Sequence, residues 1–100
     1  MLNEMDKLRN MLDVDRINYR YFSENNIEHI KVYNDIYEVV SVIYGDGTYG
    51  YESGLLEIMG LLTKKEQKRD TVVGSLTARQ IYNRIKRYFN EVETKGEEQC

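Results

Sequence analysis

An α+β fold, in the order α-β-β-β-α-α, is predicted from three features of this 100-residue chain. An apolar stripe at helical spacing lies near each end, and between them run segments rich in Val, Ile and Tyr with strand-like patterning. Such elements close into a three-stranded antiparallel sheet with helices packed on one face.

Leu2, Met5, Leu8 and Leu12 recur at helical spacing with Met11 beside them, and Asn3 or Asp6 can cap the start, so residues 3–13 read as a short amphipathic helix. Ile17, Tyr19 and Tyr21 alternate with Asn18 and Arg20, the pattern of a half-buried strand that Ser23-Glu24-Asn25-Asn26 ends. A second strand follows over residues 28–33. Asn34-Asp35 then predicts a tight hairpin, because both residues tolerate positive φ. The third strand, residues 36–44, contains the nearly continuous apolar run Val39-Val40-Ser41-Val42-Ile43-Tyr44, which marks it as the central strand with both faces covered.

Ser53 is placed to cap a compact helix in which Leu55, Ile58, Met59 and Leu62 form a stripe widened by Leu56 and Leu61. Residues 63–70 read as a charged, solvated connector. Thr63 and Glu66 have capping-box spacing there, but no apolar run follows. Thr77 and Gln80 repeat that spacing, and Ala78, Ile81, Tyr82, Ile85, Tyr88, Phe89 and Val92 then fall three and four apart, predicting a helix over residues 78–92. The expected organisation is one globular domain, 1–92, followed by a frayed acidic tail, 93–100.

Composition narrows function by exclusion. With 41% hydrophobic and 31% charged residues the chain has enough core for one domain without disulfides or metals. Cys100, the single cysteine, reads as a solvated tail residue and fits a reducing compartment. Polar residues interrupt the N-terminal apolar stretch, unlike a signal peptide, and no run approaches the roughly 20 apolar residues of a membrane span, so the cytoplasm is the expected location. His29 is the only histidine, so no metal site, no cofactor and no Cys-His pair is expected; Asp13 and Asp15 are loop carboxylates with nothing to raise either pKa. The chain therefore reads as a binding protein and not as an enzyme.

The segment that a plain fold would not demand is Gly45-Asp46-Gly47-Thr48-Tyr49-Gly50-Tyr51-Glu52-Ser53-Gly54. Gly45, Gly47 and Gly50 match the dinucleotide-binding fingerprint, yet no βαβ unit follows, so turn chemistry is the plainer account. The candidate contact residues are Gly47, Tyr49, Gly50, Tyr51, Glu52 and Ser53. They read first as a protein-contact loop and alternatively as a small-ligand site, where the start of the Ser53 helix holds an anion or a nucleotide phosphate and Glu52 competes for the same donors. Self-association would complete such a pocket, because a small sheet offers little concavity. A second candidate surface is basic: Arg79, Lys86 and, at its edge, Arg87 lie opposite the apolar stripe of the last helix, with Arg84 off to one side. Phosphates or an acidic partner fit this face, and so does plain solvation. With a net charge of −3, nucleic acid is not an expected partner.

The segments SVIYGDGTYGYESGLLEIMGLL (41–62) and DTVVGSLTARQIYNRIK (70–86) resemble a group of small phage and prophage proteins of Gram-positive bacteria. The Tyr-Gly-Tyr-Glu-x-Gly-Leu-Leu-Glu-Ile-Met-Gly core and the Val-Val-Gly-x-Leu-Thr-Ala turn carry the resemblance, which spans about the second half of the chain. It implies a phage accessory protein that binds, and inhibits, a host protein in the cytoplasm of the host cell. The element order is similar to that of some anti-CRISPR proteins and, without the last helix, to the double-stranded RNA-binding domain. Thr77-Ala78-Arg79-Gln80 lacks the lysine cluster with which that domain bridges phosphates.

Overall fold

The computed structural model describes residues 2–98, and the side chains of residues 2–91. The fold is α+β. Helix α1 (Glu4–Val14) is followed by strands β1 (Tyr19–Glu24), β2 (Ile27–Tyr33), β3 (Glu38–Tyr44) and β4 (Leu56–Met59), the short helix α2 (Lys64–Gln67), strand β5 (Val73–Leu76) and helix α3 (Ala78–Glu98). All five strands form one antiparallel sheet in the order β1-β2-β3-β4-β5. The predicted three-stranded sheet is thus corrected to five strands.

Both additional strands come from segments with ambiguous local signals. The run Leu55–Leu62 fits a helical stripe on spacing alone, but it is short, and Gly54 (φ 74°) and Gly60 (φ 107°) take left-handed backbone at either end. Read as a strand, it pairs Ser41 with Met59, Val42 with Ile58 and Ile43 with Glu57, which satisfies the free edge of β3 and buries Leu56 and Ile58 completely. The predicted Ser53-capped helix is therefore absent. The Val72-Val73-Gly74 segment is not a simple turn either: Leu56 pairs with Leu76 and Ile58 with Val73, with an irregularity between them where Ser75 adopts φ 60°.

Turn chemistry differs from expectation in one place. The tight turn with two positive φ values is Asn25-Asn26 (54° and 64°), between β1 and β2. The predicted Asn34-Asp35 hairpin is a longer connection. Asn34 Oδ1 accepts the N–H groups of Ile36 (2.7 Å) and Tyr37 (2.8 Å), and β3 begins only at Glu38, after a register shift at Val32/Tyr33.

β3 is the middle strand, as predicted. One row of side chains crosses every strand on the same face: Tyr21, Ile30, Val42, Ile58 and Val73. Against this face lie Met5, Leu8 and Leu12 of α1 and Ala78, Ile81 and Ile85 of α3, all buried. Burying a large apolar side chain is worth about 1.5–3 kcal/mol, so this layer dominates stability. The opposite face carries the rows Phe22-His29-Ile43-Glu57 and Arg20-Lys31-Ser41-Met59. Ser41 and Ile43 are only half-buried there, so the predicted burial of β3 on both faces is corrected to one face fully covered.

The caps of the two long helices follow the sequence. Asn3 Oδ1 accepts the Asp6 N–H at 2.8 Å. In the capping box of α3, the Gln80 N–H donates to Thr77 Oγ1 (3.2 Å) while Gln80 Oε1 accepts the Thr77 N–H (2.8 Å). Glu4 Oε1 also accepts the Ala78 N–H at 2.9 Å, tying the two helix starts together and holding the Glu4 carboxyl below its usual pKa. α3 runs on to Glu98, past the end of its apolar stripe, with no proline to stop it. The expected free connector 63–70 contains α2, whose Thr63/Glu66 capping box is complete without a following apolar run. Cys100 lies outside the described residues.

Candidate functional site

The glycine loop joins β3 to β4 and is built from its own backbone. Thr48 clips its start: Thr48 Oγ1 donates to the Gly45 carbonyl (2.7 Å) and accepts the Gly45 N–H (3.1 Å). Tyr51–Ser53 form a single 3₁₀ turn, with Ser53 N–H and Leu55 N–H both donating to the Gly50 carbonyl, at 3.0 and 2.9 Å. The N–H groups of Thr48, Tyr49, Tyr51, Ser53, Gly54 and Leu55 all have partners within the chain. The anion reading placed its donors at the start of a Ser53-capped helix; the structure has a single 3₁₀ turn there, Tyr51–Ser53, and these six N–H groups are engaged within the chain.

Two contacts hold the middle of the loop against the sheet. The Tyr49 N–H donates to Glu57 Oε1 at 2.9 Å, and the Tyr49 carbonyl accepts the Ser75 N–H at 3.1 Å. Glu57 stands on the open face of β4 with only 7% of its surface exposed. Approach is so close that two glycines are required: a Cβ on Gly50 would lie 2.7 Å from the Ser75 Cα, and one on Gly74 2.1 Å from the Tyr49 Cβ. Gly47 (φ 94°) instead faces open space. Among the predicted contact residues, Tyr49 is 60% and Tyr51 38% exposed, and the Tyr51 ring lies tilted against Tyr44 with centroids 5.0 Å apart. Residues 47–53 surround a depression of about 340 Å³. Glu57 is not among the contact residues that the sequence suggests. The signal for Glu57 was a lone charge inside the apolar run Leu55–Met59.

The predicted basic face is split. Arg79, Tyr82 and Lys86 form one stripe: the Arg79 guanidinium sits 5.5 Å from the Tyr82 ring centroid, the Tyr82 hydroxyl donates to Asp15, and Lys86 Nζ lies 3.3 Å from Asp15 Oδ2. The Tyr82 hydrogen bond and then Lys86 hold the Asp15 carboxyl below its usual pKa, while Asp15 raises that of the Tyr82 hydroxyl. Lys86 is thus already paired. Arg87 is a residue further round the helix and lines a separate groove with Asn83 and Arg84. Arg84, which the sequence placed to one side, is the most firmly held cation. Its Nη1 and Nη2 donate to Glu66 Oε1 and Oε2, both at 2.8 Å, and Nη1 also donates to the Leu61 carbonyl at 3.0 Å. This bidentate pair brings the Glu66 carboxyl down to about 2.

On the open face His29 stacks on Phe22 with centroids 4.6 Å apart, and Arg20 reaches over the Phe22 ring. No group of His, Cys, Asp and Glu able to hold a metal ion occurs among the described residues, and no helix there is long and apolar enough to cross a membrane. No family model, no curated protein and no solved structure matches the chain.

Proposed function

We propose that this chain is a non-enzymatic binding protein of phage or prophage origin that occupies a surface of a host protein, with the 45–54 loop as the contact and Tyr49 as its anchor. The observation that carries this reading is the combination at Tyr49 of an exposed ring with a backbone held on both sides, by Glu57 and by Ser75. An aromatic side chain on a pinned loop loses little conformational entropy on binding, and tyrosine is enriched among residues that dominate interface energy. Binding is favoured over catalysis because the Glu57 carboxylate is engaged on the Tyr49 N–H, while two tyrosines, Tyr49 and Tyr51, stand among the side chains that the loop offers to solvent. The resemblance of residues 41–62 and 70–86 to phage and prophage proteins supports a host target in the cytoplasm, with inhibition of a defence nuclease in the manner of an anti-CRISPR protein as the specific form.

The test is capture from a lysate of a Gram-positive host on the immobilised chain and, in parallel, on Tyr49→Ala. A host protein retained by the first and lost from the second, at unchanged melting temperature, is the expected result. No specific retention, or equal retention by both, rejects the reading.

A further inference from the structure

At the end of the sheet opposite the glycine loop, α3 and the segment leaving β4 enclose a groove of about 470 Å³, within the size range of small-molecule sites. Leu61, Leu62, Leu76 and Tyr88 give it an apolar lining. Its wall is strained: Leu61 adopts φ 54°, a left-handed conformation that is unfavourable for a branched side chain and that clusters at ligand clamps. The Leu61 carbonyl is held in place by Arg84, which is itself locked on Glu66.

The donors that face this groove come from one stripe of α3, namely Gln80, Asn83, Arg84 and Arg87. The capping box takes Gln80 Oε1 for the Thr77 N–H and so presents the Nε2 amide. Three of the five Arg84 N–H donors are used by Glu66 and Leu61, leaving two without a partner among the described residues. Arg87 is exposed and makes no ion pair among the described residues, although Glu91, one turn further on, shares the groove rim. Donors and a free guanidinium above an apolar floor call for an anion attached to an apolar body.

We infer that this groove binds a small amphipathic carboxylate, its apolar part on Leu61, Leu62 and Tyr88 and its carboxylate on Arg87 and the neighbouring amides. The site is independent of the glycine loop, so each can fail alone. Sodium octanoate is the probe, titrated into the full chain and followed by amide and arginine side-chain NMR, with acetate and octanol as the anion-only and apolar-only controls. Saturable shifts centred on Leu61, Gln80, Arg87 and Tyr88 are expected with octanoate and only weak ones with either control. Arg87→Gln, a change at an exposed position, is expected to weaken octanoate about tenfold, as loss of one charge-assisted pair implies. Absence of saturable shifts with octanoate, octanol binding as tightly as octanoate, or undiminished binding by Arg87→Gln each overturns the assignment.

Discussion

The two connections that flank β4 solve the same problem by opposite means. The loop entering β4, residues 45–54, is held through its backbone groups, which bond one another, Thr48 Oγ1, Glu57 and Ser75, and by glycines that admit close approach, and it leaves its tyrosines in solvent. The connector leaving β4, residues 60–63, is held by side chains from elsewhere: Arg84 bonds the Leu61 carbonyl and grips Glu66, which in turn caps α2. A loop held through its backbone groups can change its exposed side chains without losing its shape. A side-chain-built connector cannot lose its charged anchor without exposing strained backbone.

Substitution at the glycines should show the largest effect and the sharpest contrast within the loop. Gly50→Ala combines positive φ with a Cβ 2.7 Å from the Ser75 backbone and is expected to destabilise by about 3 kcal/mol or more, whereas Gly47→Ala, with equal φ but open space, is expected to cost about 1–2 kcal/mol. Urea denaturation of the two variants measures this; equal losses would mean that the approach to Ser75 contributes nothing.

Next comes the connector's anchor. Arg84→Ala strands a half-buried carboxylate and a strained carbonyl, and about 2 kcal/mol should be lost in the same denaturation assay. A loss below about 0.5 kcal/mol would place the connector with ordinary surface loops.

A smaller effect separates the two connections by pH. The Glu66 carboxyl titrates at about 2 in the folded chain against an ordinary value of 4.5, because Arg84 and the Thr63 N–H favour its ionised form. A depressed folded pKa stabilises fully above the unfolded value, and that stabilisation is lost as pH falls from 4.5 through about 2. Discounted for solvent screening it amounts to about 1 kcal/mol, so the stability gap between wild type and Glu66→Gln should close on acidification. A gap that stays constant between about pH 6 and pH 3 would contradict the linkage. The glycine loop has no equivalent ion pair among the described residues.

The smallest expected effect on stability is Tyr49→Ala. The substitution keeps the Cβ and both backbone hydrogen bonds and removes only the exposed ring, so thermal unfolding should shift by no more than about 0.5 kcal/mol. A larger loss would show that the ring is part of the fold and not free for a partner.

Much of this comparison was visible in the residues on one side only. The glycines and tyrosines of 45–54 announce a special loop. Nothing local announces the connector, because Arg84 and Glu66 are separated in sequence and each looks like a solvated charge. The partners of the basic face were hidden for a related reason: Arg79, Lys86 and, at the edge, Arg87 are close in sequence, but Asp15, which Tyr82 and Lys86 share, lies far from them along the chain, and at about 100° per residue Arg87 stands off that stripe.

By itself the sequence determined α1, β1 to β3 and α3. Their apolar periodicity extends over enough residues to choose between helix and strand, and Asn3 and the Thr77/Gln80 box mark where the two long helices begin. Only the tertiary structure decided that Leu56–Met59 and Val73–Leu76 are strands, that Glu57 is buried beneath Tyr49 and that Arg84 holds Leu61. A short apolar run satisfies both periodicities equally well. What resolves it is the unpaired edge of β3, whose backbone groups require hydrogen-bond partners that no local signal records.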